Sequence, residues 1–80
     1  MSRSELGRLR RLSGREVCRI LEKHGFVRVR QRGSHVVVQR RTAATTVTVP
    51  VPMHAELKTG TLLSIVRQSG VPKSEFEAAQ

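Results

Sequence analysis

The stretch Phe26-Val27-Arg28-Val29-Arg30-Gln31-Arg32-Gly33-Ser34-His35-Val36-Val37-Val38-Gln39-Arg40 holds two strand-like runs on either side of a glycine. In the first run Val27 and Val29 point one way and Arg28 and Arg30 the other, the period of a strand with one covered face. Arg32-Gly33-Ser34 reads as the turn, and a second strand runs from His35 to Arg40. By alternation His35 shares a side with Val37 and Gln39, opposite Val36 and Val38. If Val36 and Val38 meet the core, the imidazole stands on the open face. Arg28 and Arg30 join it there if Val27 and Val29 are covered too.

After a polar turn around Thr42 and Ala43, a third strand from Thr45 to Val49 sets Val47 and Val49 against Thr46 and Thr48. Pro50 and Pro52 are expected to end the sheet, since neither donates a ladder hydrogen bond. Residues 53–58 read as a loop. Thr59 is the expected N-cap of a helix bearing Leu62, Ile65 and Val66 and stopped by Gly70; Pro72 opens a short last turn that carries Phe76.

On the other side, Ser13 and Glu16 have the spacing of a capping box, which predicts a helix over 14–24. Val17, Ile20 and Leu21 form its apolar stripe, Leu12 can act as staple to Val17, Lys23 and His24 suit its negative end, and Gly25 terminates it. Residues 1–12, with Arg3, Arg8, Arg10 and Arg11, read as a flexible basic arm, and residues 13–80 as a single domain. The order α-β-β-β-α implies an α+β, two-layer fold, a three-stranded antiparallel sheet with both helices on one face.

Eighty residues allow one small core, built from Val, Leu and Ile because Phe26 and Phe76 are the only aromatics. Such a core is expected to gain stability from a partner or a second copy. Lys and Arg number 15 against 6 acidic residues, for a net charge of +9. The excess lies wholly in residues 1–41, with twelve basic and three acidic side chains, while residues 42–80 hold three of each. A surface so polarised attracts polyanions, nucleic acid first. Cys18 has no cysteine to pair with in the chain, which fits a reducing compartment, and Val36-Val37-Val38 is far too short an aliphatic run to cross a membrane. A cytoplasmic protein with no membrane partner is expected. The three histidines and Cys18 lack metal-ligand spacing and the carboxylates do not cluster, so neither metal nor cofactor is expected.

Ser13-Gly14-Arg15-Glu16-Val17, Leu21-Glu22-Lys23-His24-Gly25-Phe26, Gly33-Ser34-His35, Pro52-Met53-His54 and Leu57-Lys58-Thr59-Gly60-Thr61-Leu62 follow one another in an order that closely resembles the HicA toxins of bacterial and archaeal toxin–antitoxin systems. The resemblance covers about residues 12–76. It implies a fold like that of double-stranded RNA-binding domains, cleavage of mRNA without a metal ion, and neutralisation by a HicB antitoxin; a homo-oligomer or a toxin–antitoxin hetero-oligomer is expected. It also implies that His35, the histidine of the Gly-Ser-His motif, is catalytic.

The residues argue in the same direction. Cutting RNA by internal attack needs a base for the 2′-hydroxyl proton, an acid for the departing 5′-oxygen, and cationic or N–H groups around the phosphoryl oxygens. Histidine can serve either proton role near neutral pH. Gly33 permits the tight backbone, Ser34 can donate a hydrogen bond to phosphate, and Arg28, Arg30, Arg32 and Lys58 are candidate phosphate contacts. His24 is explained by its helix end, and His54 is a candidate for phosphate contact or for ordering its loop. The plain alternative is an ordinary hairpin turn with an exposed histidine. A non-catalytic module gripping duplex RNA, or a regulatory protein docking an acidic partner, would use the same basic face.

Overall fold

A computed structural model describes residues 8–77. Helix α1 spans Gly14–Lys23 and starts with the full capping box: the Glu16 amide donates to Ser13 Oγ at 3.0 Å and the Ser13 amide to Glu16 Oε1 at 2.8 Å. Those bonds hold the Glu16 carboxyl below its ordinary pKa. Val17, Cys18, Ile20 and Leu21 are buried on its inner face, and burial pushes the Cys18 thiol up, keeping it in its unreactive protonated form.

Strands β1 (Val27–Arg32), β2 (His35–Arg41) and β3 (Thr46–Pro52) form an antiparallel sheet in the order β1-β2-β3. Helix α2 (Thr59–Ser69) follows and ends at Gly70, whose φ of 73° is the left-handed conformation glycine adopts without strain. A 3-10 turn, Lys73–Phe76, buries Phe76 completely. Val36, Val38, Val49 and Val51 face Leu21, Phe26, Leu62, Ile65 and Phe76 in one core between sheet and helices. This is the expected two-layer α+β architecture.

Three local expectations meet a different outcome. Pro50 and Pro52 do not end β3; they pair with Val37 and His35 inside it. β3 is an edge strand, and residues of one parity turn their backbone groups outward, where a missing N–H breaks no ladder bond. The N-cap of α2 is Lys58, with no side-chain capping bond, and Thr59 is the first helical residue. Of the expected arm, residues 8–12 are held in place: Leu12 is buried and accepts from the Leu57 amide at 2.8 Å, the Arg10 amide donates to the Phe76 carbonyl at 2.9 Å, and Leu9 bridges to Glu77. Leu12, the expected staple, joins the core with Val17, and Leu9, which the surrounding arginines obscured in the sequence, packs against it. Arg3 and Leu6 lie outside the described residues.

The largest difference concerns β1. Arg28 pairs with Val38 and Arg30 with Val37, so Val29 is an extra residue in a β-bulge. Phe26, buried just before the strand, sets the parity, and Arg28 therefore lies on the helix side with Val38, while Val27 pairs with Gln39 on the open face. Val27 is 62% exposed and Val29 42%, not covered as expected. Both helices pack chiefly on β3, which leaves the helix side of β1 uncovered.

Candidate active site

His35 is the first residue of the central strand, exposed on the open face and opposite Arg32 on β1 and Pro52 on β3. Beyond the bulge Arg30 pairs with Val37, which places it diagonally next to His35 on the same face. The bulge therefore returns Arg30 and Arg32 to the imidazole's side. Arg28 is not there: its Nε donates to Glu22 Oε2 of α1 at 3.0 Å across the other side of the sheet.

The Gly33-Ser34 turn is pinned from both flanks. The Met53 amide donates to the Ser34 carbonyl at 2.6 Å, and Gln31 Nε2 donates to the Gly33 carbonyl at 3.2 Å. Gly33 has φ of 57°, and a β-carbon there would meet nothing within 4 Å. Backbone conformation, and not crowding, asks for glycine, and the surface above it is open to an approaching phosphate.

The end of β3 that faces His35 is itself fixed by α1. A β-carbon on Gly14 would lie 2.0 Å from the Pro52 carbonyl oxygen, and the Gly14 amide donates to the His54 carbonyl at 3.0 Å. His54 thus orders its loop through its backbone while its side chain is exposed. Lys58 is exposed at the start of α2, and no hydrogen bond or ion pair links it to the turn among the described residues. A cation at the positive end of a helix dipole is placed unfavourably unless an anion meets it.

His24 Nε2 lies 3.2 Å from Glu75 Oε1, tying the end of α1 to the last turn. Sequence reading passed over Arg40, whose guanidinium stacks over Phe26 at 5.0 Å and whose Nη1 donates to the His24 carbonyl at 3.3 Å. The signal was present, since Arg40 has the parity of Val36 and Val38 and so belongs to the core side. Its role is structural. Among the described residues no group of three or more His, Cys, Asp or Glu side chains could hold a metal ion, and no helix is long and apolar enough to cross a membrane.

A family model described as "HicA toxin of bacterial toxin-antitoxin" matches residues 14–71. The chain belongs to the HicA toxin family. The comparison with curated proteins returned no match. The HicA match runs from the first residue of α1 past the glycine that ends α2, so it contains the Gly33-Ser34-His35 turn, the β3 segment opposite it, and Lys58. Membership makes the chain the toxin component of a toxin–antitoxin system, with an antitoxin as its partner.

Proposed function

We propose that this HicA toxin is a metal-independent endoribonuclease that cuts mRNA in the cytoplasm, with His35 as its catalytic residue and a HicB-type antitoxin as its inhibitor. The observation that carries the reading is an exposed histidine directly opposite Arg32, beside a glycine turn open to solvent, in a chain of this family. The 2′-oxygen forms a bond to phosphorus as the bond from phosphorus to the 5′-oxygen breaks. One proton leaves the 2′-hydroxyl and one is delivered to the 5′-oxygen, and His35 performs one of these transfers. Arg30 and Arg32 stabilise the charge that grows on the phosphoryl oxygens, Ser34 and the Gly33 turn receive the phosphate, and Lys58 and Arg28 contact the strand farther out.

One general acid or base is worth about 10²- to 10⁴-fold, so the remainder comes from positioning and the guanidinium charge. Incubating the toxin with single-stranded RNA in EDTA tests the reading. Cleavage is expected, and His35→Ala should slow it by about that factor while RNA affinity persists. RNA left intact by folded wild-type protein would refute it, and salt-sensitive duplex binding indifferent to His35→Ala would point to a binding module. In cells, expression of the wild-type chain but not of His35→Ala should halt growth and deplete transcripts.

A further inference from the structure

Because α1 covers β3 and not β1, a cavity of about 320 Å³ opens between α1 and β1, lined by Arg15, Arg19, Arg28, Gln31, Val36 and Met53. We propose that this cavity is a second phosphate-binding site, which grips the RNA backbone at a distance from the bond being cut. The inference rests on the part of that reading in which the toxin binds RNA.

Arg15 and Arg19 stand one turn apart on α1 and are exposed, and Arg28 enters from β1. Glu22 engages Arg28 at 3.0 Å, whereas neither Arg15 nor Arg19 forms a salt bridge among the described residues. Two guanidiniums are thus left to line a concave space with a third beside them. Like charges brought together in this way repel, and an anion that bridges them relieves the repulsion; guanidinium forks suit phosphate oxygens in particular. The space matches the low end of small-molecule sites, enough for a phosphate with its water but ill suited to an apolar ligand.

Its position relative to the candidate active site favours a polymer over a free ion. Gln31 lines the cavity and also donates to the Gly33 carbonyl, and Val36, on its wall, directly follows His35. The cavity therefore lies behind the turn, on the opposite side of the sheet from the imidazole. A strand bent over Gly33-Ser34 would reach both, one phosphate at His35 and a flanking one among the arginines.

The test uses 2′-O-methyl RNA, which cannot undergo internal attack, so binding is read without cleavage. Each single-strand phosphate contact contributes about −0.7 to the slope of log K against log salt. The double variant Arg15→Gln/Arg19→Gln should flatten the slope by about 0.7–1.4, whereas Arg19→Lys should keep it. Arg67→Gln/Lys73→Gln removes the same charge elsewhere and should leave the slope unchanged. An unchanged slope in the arginine variant, with native circular dichroism, overturns the site, as does equal flattening by the control. Inorganic phosphate at matched ionic strength should compete only weakly; phosphate binding in the cavity while RNA ignores Arg15 and Arg19 overturns the RNA assignment. Unmodified RNA separates the two readings: cleavage in EDTA with an unchanged slope removes this site alone, and no cleavage with a flattened slope removes the nuclease alone.

Discussion

Replacing Gly14 with alanine should destabilise the protein, although alanine is the better helix former. The added β-carbon would sit 2.0 Å from the Pro52 carbonyl oxygen and 2.9 Å from the Met53 α-carbon. Reaching the 3.0 Å that real contacts respect requires α1 and the end of β3 to part by at least 1 Å. Overpacking of this kind costs about 1–3 kcal/mol, and the upper end applies because the obstacles are backbone atoms with no rotamer to yield. Helix propensity returns up to about 1 kcal/mol, for a net loss of about 2 kcal/mol. In a domain of this size that lowers Tm by about 8–16 °C. Gly60→Ala is the matched control: Gly60 lies in the first turn of α2 with nothing within 4 Å of an added β-carbon, so the same substitution should gain about 0.5–1 kcal/mol. Urea unfolding of the two variants beside wild type reads both signs, provided m is unchanged. A neutral or stabilised Gly14→Ala would show that α1 does not press on β3 as described.

Val38→Ala removes two fully buried carbons and leaves a hole, so about 2–3 kcal/mol should be lost, while Val27→Ala on the open face should stay within about 0.5 kcal/mol. Equal losses in urea melts would contradict the parity assigned to β1. Arg40→Ala gives up both the stacking on Phe26 and the bond to the His24 carbonyl, and should cost about 1–2 kcal/mol by the same measurement. Glu16 has a lowered folded pKa, so the unfolded chain binds its proton first; its stabilising contribution is present above the ordinary carboxylate pKa of about 4.3 and fades as pH falls through the folded value. Glu16→Gln keeps the capping geometry without titrating, and a stability profile between pH 2 and 6 should be shallower for it than for wild type. An identical profile would remove Glu16 from the acid response.

Much of the architecture follows from local chemistry that requires no partner. Ser13 and Glu16 close their capping box over three residues, Gly70 supplies the left-handed stop of α2, and period two marks the strands on either side of Gly33. The Gly33-Ser34-His35 turn and the side on which His35 emerges were legible for the same reason, since alternation along β2 is unbroken from His35 to Arg41. Arg30 arrived on the expected face by a different route from the one alternation describes, and Arg28 did not arrive there at all.

Periodicity relates neighbours on one strand to each other but does not say which side is inward, and one inserted residue reverses the answer for everything before it. The parity of β1 was settled by Phe26 entering the core and by the bulge at Val29, both of them consequences of pairing with β2. Likewise, Pro50 and Pro52 continue β3 because nothing pairs on its outer edge, and Leu9 and Leu12 hold residues 8–12 because Phe76, Glu77 and Leu57 lie where they can meet them. Arg15, Arg19 and Arg28 share a cavity only because α1 leans over β3 and leaves β1 bare. Helix starts, strand periods and the uneven charge are written within a few residues of one another along the chain. Face, edge and convergence arise between segments far apart in it, where competition for one small core decides which side chains are taken in and which are left outside to meet a ligand.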